Sequence, residues 1–275
     1  AAGPVVLGGA NSYAGVTTVN AGTLTVAGSG ISAGGLVLNG GTLAVDFTQA
    51  NANQAGIVAA SAPVTFAGGT LSVTGNVGST QSLGAVTVNG GASTLNVAGN
   101  LALTTGAITR NAGGVLNFGL PGGSSSVKVV GNAGVGGILG GWAVTNGANP
   151  TFVDHDGAGN LTPLAAYTGD TWDGSNVAVT SSTSQASSSV ANSLFFNTAG
   201  GNTVTLSGAN RITSGGILMT GNVAANNNVI TGGTLAGGAA ANGGELIVHQ
   251  LDTQGSLTND SAIVDTATAT GLTKA

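Results

Sequence analysis

Short runs of alternating apolar and polar residues fill most of this chain, and they come in pairs joined by a turn. The pattern is clearest near the start, where Val16-Thr17-Thr18-Val19 leads through Asn20-Ala21-Gly22 into Thr23-Leu24-Thr25-Val26. Alternation with period two marks a strand with one buried face and one wet face. The unit returns as Leu36-Val37-Leu38, Asn39-Gly40-Gly41 and Thr42-Leu43-Ala44-Val45. It returns again around Ala67-Gly68-Gly69, Asn89-Gly90-Gly91 and Asn111-Ala112-Gly113-Gly114. Leu24, Leu43, Leu71, Leu95 and Leu116 follow these turns as equivalent positions.

Asn-Gly or Gly-Gly between two strands ordinarily signals a hairpin. A meander of hairpins has no reason to recur every ~20–25 residues, whereas one coil of a solenoid does. Each turn is therefore expected to be a corner, with its second strand joining a different sheet. The expected fold class is all-β, a parallel β-helix (β-solenoid). Coils would bond to their neighbours at ~4.8 Å, with about thirteen coils in all. Gly and Asn suit the corners because they accept positive φ at low cost. An Asn recurring at one corner can also stack into a ladder of amides.

The pattern lapses from Leu120 to Ser189, where Pro121, Pro150 and Pro163 appear together with Trp142, Tyr167 and Trp172. We read residues 120–189 as an irregular, loop-bearing section of one continuous solenoid spanning 1–275. Ser181 to Ser189 reads as an exposed turn or a polar strand. Strands resume at Thr203–Leu206, Ile217–Met219, Val229–Leu235 and Leu246–His249.

Composition sharpens this picture. Gly contributes 51 of 275 residues, charged residues 5% and aromatics 4%. Chains so rich in Gly and poor in charge are often disordered, but the recurring Val and Leu pairs supply burial to offset the ordering entropy. Small residues let facing sheets approach, so few aromatics suffice. The net charge is −5, and the basic residues Arg110, Lys128, Arg211 and Lys274 are scattered. No basic patch exists for nucleic acid. No run approaches the ~20 apolar residues that span a bilayer. The absence of Cys removes disulfides and thiolate chemistry. With neither an initiator Met nor a signal segment, the chain reads as a processed form or a segment of something longer.

The run Gly9-Ala10-Asn11-Ser12-Tyr13-Ala14-Gly15-Val16-Thr17-Thr18-Val19-Asn20-Ala21-Gly22-Thr23-Leu24 resembles the autotransporter-associated β-strand repeat of large exported bacterial surface proteins. Family members usually carry Gly where Val16 stands. Gly136-Gly137-Ile138-Leu139-Gly140-Gly141-Trp142-Ala143-Val144, Leu164–Thr168 and Ser214–Leu218 are similar to a longer module of such proteins. The resemblance covers nearly the whole chain. It implies a right-handed parallel β-helix, export, and an extracellular or outer-surface location, and it implies no catalytic activity. In the family a Leu-Thr-Lys segment often precedes the opening one, so Gly271-Leu272-Thr273-Lys274 reads naturally into Pro4-Val5-Val6-Leu7. Val5, Val6, Leu7, Leu272 and Thr273 are thus the candidate interface, with further copies end to end as the expected partner.

Candidate chemistry is sparse. Asp154-His155-Asp156-Gly157 opens like a calcium loop, but the distal Glu is missing; Asp154 and Asp156 are the calcium candidates, against a plain solvated turn. Asp170 and Asp173 could assist such a site or serve as turn residues. Glycoside hydrolysis needs paired carboxylates, yet Asp46, Asp252, Asp260 and Asp265 are isolated and Glu245 is the sole Glu. His155 and His249 lack triad partners, and His249 is expected to face outward from its strand. Trp142, Tyr167 and Trp172 are either an aromatic platform for a surface glycan or a cover beneath loops. The leading expectation is a non-enzymatic structural element of a surface fibre, filament or sheath. The alternatives are the stalk of an adhesin and a glycan-active enzyme.

Overall fold

The structure is a computed structural model describing residues 3–31, 33–122, 125–238 and 244–275. It is an all-β parallel β-solenoid of about ten turns, with long loops toward the middle of the chain. The expected thirteen is too many, because several coils are longer than the early repeat. Strands group into two compact units, described in turn.

The first unit comprises Ala1–Ala133, Ala143–Gly147 and His155–Pro163. Its strands are β1 (Val5–Leu7), β2 (Thr17–Val19), β3 (Thr23–Val26), β4 (Leu36–Leu38), β5 (Thr42–Asp46), β6 (Val64–Phe66), β7 (Thr70–Ser82), β8 (Val86–Val88), β9 (Gly91–Thr105), β10 (Ile108–Arg110), β11 (Gly114–Gly119), β12 (Ser126–Val129) and β13 (Ala143–Thr145). The odd-numbered strands form one sheet in chain order, with β12 also paired to β9, and the even-numbered β2, β4, β6, β8 and β10 form a second. Pairing within both is parallel. Strands on either side of each Asn-Gly corner lie in different sheets, so the turns are corners and not hairpins. Gly40 has φ of 92° at its corner, a conformation that disfavours any side chain.

Registration places like on like. Val5, Leu24, Leu43, Leu71 and Leu95 form one file, and Val26, Val45, Val73 and Val97 another. Leu43, Leu71 and Leu95 are buried. The equivalence of Leu116 with Leu95 does not hold. Phe118 pairs with Leu95, and Leu116 pairs with Ser93. The later corners are longer, so counting residues from the turn to the first Leu loses register. The file Val19, Leu38, Phe66 and Val88 ends in Arg110, whose Nε donates to the Gly114 carbonyl at 2.7 Å. Val64, Phe66, Leu71, Val86 and Leu95 close around a void of about 10 Å³, at the lower limit for one water.

β7 and β9, with 13 and 15 residues, far exceed the short strands read from alternation. They bend and continue along a third side of the coil, where Ser79–Ser82 pairs with Leu101–Thr104. Gly99, at φ 75°, lies at this bend, and a Cβ there would strike the Gly75 carbonyl. Amides stack at the corners: Asn39 Nδ2 donates to Asn20 Oδ1 at 3.0 Å and Asn111 Nδ2 to Asn89 Oδ1 at 2.8 Å. Ala67 occupies the same corner of the coil between them, its N–H bonded to the Leu38 carbonyl, and interrupts the ladder.

Beyond β13 lie β14 (Val153–His155) and β15 (Leu161–Pro163). The second unit comprises Gly134–Trp142, Ala148–Asp154 and Leu164–Ala275. It contains β16 (Thr168–Gly169), β17 (Asn176–Ala178), β18 (Thr183–Gln185), β19 (Val190–Phe196), β20 (Thr203–Met219), β21 (Asn227–Ala236), β22 (Glu245–Gln250), β23 (Ser256–Asn259), β24 (Ala262–Ile263) and β25 (Gly271–Lys274). All pair in parallel in one sheet that turns around the coil. Val177, Leu194, Ile217 and Val248 form an inward file, packed with Trp172, Phe196 and Met219. β20 has 17 residues, joining two segments that the alternation separates. The serine-rich stretch does contain a polar strand, β18, paired with Val204–Leu206.

Candidate functional site

The candidate interface residues sit on edge strands. Among the described residues β1 pairs only with β3, and Val5 and Val6 are 58% and 61% exposed. The file that β1 begins is buried from Leu43 onward, and Val5 holds the first place in it. Among the described residues β25 pairs only with β22. Leu272 is in register with buried Leu246 and is itself 62% exposed. Thr273 donates its hydroxyl hydrogen bond to Glu245 Oε1, and Glu245 is buried. Lys274 takes the last place in the file of Val177, Leu194, Ile217 and Val248. An inward-pointing charge at an edge tempers further pairing. Val16 and Ile263, on the same first and last coils, are also exposed.

Three of the four acidic candidates, Asp156, Asp170 and Asp173, are engaged in turns. Asp156 Oδ1 accepts from the N–H of Ala158 at 2.8 Å and of Asn160 at 2.9 Å, and Oδ2 accepts from Asn160 Nδ2 at 2.6 Å. The Asn160 amide and these backbone donors hold its carboxyl below the ordinary carboxylate range. Asp154 lies on β14, half-buried, bridged to Ile138. Asp170 accepts four hydrogen bonds, from the N–H and hydroxyl of Thr180 and of Ser181, at 2.7 to 3.1 Å. Burial pushes its pKa up, but these bonds outweigh burial and leave it lowered. Asp173 is lowered by the Ser175 hydroxyl and N–H. Among the described residues, no three His, Asp or Glu side chains gather where a metal ion would sit.

Of the aromatic candidates, Trp142 and Trp172 line the interior and Tyr167 is half-buried. Trp142 and Trp172 are 7% and 5% exposed, which leaves no ring face for a sugar. Tyr167 stacks on Phe195 at 4.6 Å and hydrogen-bonds to the Thr151 hydroxyl at 2.5 Å. Burial, only partly offset by Thr151 and the Phe152 N–H, pushes its phenol up to about 12. The outward placement expected for His249 is wrong. His249 is buried, 2.9 Å from the Gly141 carbonyl through Nε2 and edge-on to Phe152 at 6.4 Å. The reason is that segments 134–142 and 148–154 cover the second face of β19, β20 and β22. A strand with both faces covered has no outward side.

Sequence reasoning missed the polar residues that hold these coverings. Asn192 Nδ2 bonds to the Val135 carbonyl and to Asn176 Oδ1, both at 2.8 Å, and Asn176 Nδ2 bonds to the Gly136 carbonyl at 2.9 Å. Gln185 bridges the Asp170 carbonyl and the Trp172 N–H. No local signal distinguishes these amides from surface Asn and Gln. Among the described residues no helix is long and apolar enough to cross a membrane. Comparison with protein-family models, with curated proteins and with solved structures finds no match.

Proposed function

We propose that the protein is a structural β-solenoid of a bacterial cell surface, a unit of an extracellular fibre, filament or sheath whose coils continue from copy to copy. Supporting this are the parallel solenoid fold and the likeness of Gly9–Leu24 to the autotransporter-associated repeat. The carrying observation is that, among the described residues, β1 and β25 each pair on one side, with the core-file residues Val5 and Leu272 exposed. Chain order runs outward to β25 and inward from β1, so β25 of one copy meets β1 of the next and extends both ladders. An open parallel edge with apolar side chains templates a further strand. With charged residues at 5%, repulsion between neighbouring units is weak. The role is mechanical and interfacial, and no catalysis is assigned.

The test is negative-stain microscopy of native material together with its denatured mass. End-to-end assemblies are expected. A denatured mass of 25.8 kDa means separate copies docking, and a monodisperse multiple means tandem units in one polypeptide. Amide exchange of Val5–Leu7 should be fast in an isolated copy and slow in the assembly. Isolated particles with no end-to-end association, at native concentration, would refute the proposal.

A further inference from the structure

The outward face of the second unit carries a groove of about 260 Å³ that crosses four successive coils. Its floor is a file of aligned positions: Val190 pairs with Arg211, Arg211 with Ala236, and the Val264 N–H bonds to the Leu235 carbonyl one coil on. Ala209 lies beside this file and is in register with Thr234. The small side chains of Ala209 and Ala236 make the depression. Asp265 also lines it.

Two features indicate what the groove holds. Arg211 and Asp265 line the same groove without an ion pair between them among the described residues. Asp265 uses one oxygen to accept the Thr270 N–H at 2.8 Å, and a carboxylate retains further acceptor sites. The strand beneath the groove, β20, is paired on both sides, with β18 or β19 on one and β21 on the other. A peptide therefore cannot add as a strand along β20, where Arg211 lies. Recognition must come from side chains: a guanidinium fork suited to a carboxylate, a carboxylate acceptor suited to hydroxyl groups, and an aliphatic floor suited to a C–H face. The cavity is small on the scale of ligand sites.

We infer that this groove binds a short acidic saccharide, its carboxylate on Arg211, its hydroxyls on Asp265 and its ring on Val190, Ala236 and Val264. The site reaches the last coil beside β24 but uses no residue of β1 or β25, and it does not rest on end-to-end assembly.

The test is titration of the whole, unassembled chain with a uronate trisaccharide and with a neutral trisaccharide of the same linkage, followed by NMR. The uronate is expected to saturate and to shift Arg211, Ala236 and Asp265, with affinity falling as salt is added. Arg211→Gln should weaken uronate binding about ten-fold, the size of a charge-assisted contact, and leave the neutral sugar unchanged. Ala209→Trp should fill the groove and abolish uronate binding while circular dichroism reports an intact fold. Lack of saturation, equal binding of the neutral sugar, or an Arg211→Gln variant that binds uronate like the parent would overturn the inference. So would shifts confined to Val5–Leu7 or Gly271–Lys274.

Discussion

Asp170 shows how much work a single half-buried carboxylate does in a chain with so few charges. It takes an uncommon positive φ of 55° and gathers the donors of Thr180 and Ser181 around one side chain. Its folded pKa lies below the ordinary value of 3.8. The clamp is therefore complete above the unfolded pKa and is lost as pH falls through the folded one. In an acid titration the Thr180 and Ser181 amide resonances should hold until below the ordinary carboxylate range and then collapse together. Asp170→Asn should remove that step. The corner amides allow the opposite kind of change. Ala67→Asn should join the Asn20–Asn39 and Asn89–Asn111 pairs into one ladder and raise stability by about 0.5–1.5 kcal/mol in denaturant titration.

At the scale of elements, close approach between backbones decides what is tolerated. A Cβ on Gly216 would lie 2.7 Å from both Gly141 Cα and Phe152 Cε1. The covering segments reach β20 only because both Gly141 and Gly216 lack side chains. Gly216→Ala should cost about 1–3 kcal/mol by overpacking and should expose Trp142, seen as a red shift in fluorescence. Gly119 is similar: it leaves room for Asn146 Nδ2 to reach Asn96 Oδ1 at 2.7 Å. Within the first unit, Leu71 touches the residual void and is buried between Leu43 and Leu95. Leu71→Ala should destabilise by about 2–5 kcal/mol in chemical unfolding, since coils above and below prevent collapse of the cavity.

For the molecule as a whole, the open edges make association the property to measure. Under the proposed role, Val5→Asp and Leu272→Asp each place a charge in a core file and should shift sedimentation toward the isolated copy. Lys274 ends an otherwise apolar file, so Lys274→Leu should promote association. If all three variants sediment like the parent, the edges are not the joint.

The residues alone settled the architecture. Val-Thr-Val and Thr-Leu-Asn-Val runs around Asn-Gly corners name the strands, and their spacing separates a coil from a hairpin, because both signals are local in the chain. Register at Leu116 was not legible, since a corner can gain a residue without changing its composition. His249 and the three aromatics were misread or left open for a related reason. Alternation reports that a strand has two faces, but whether the second face is wet depends on segments about a hundred positions away. The groove of Ala209, Arg211, Ala236 and Asp265 likewise exists only after four coils stack, bringing together side chains that have no proximity along the chain. Tertiary structure decided what the coils cover and what they leave open, because stacking joins residues by coil position and not by distance in sequence.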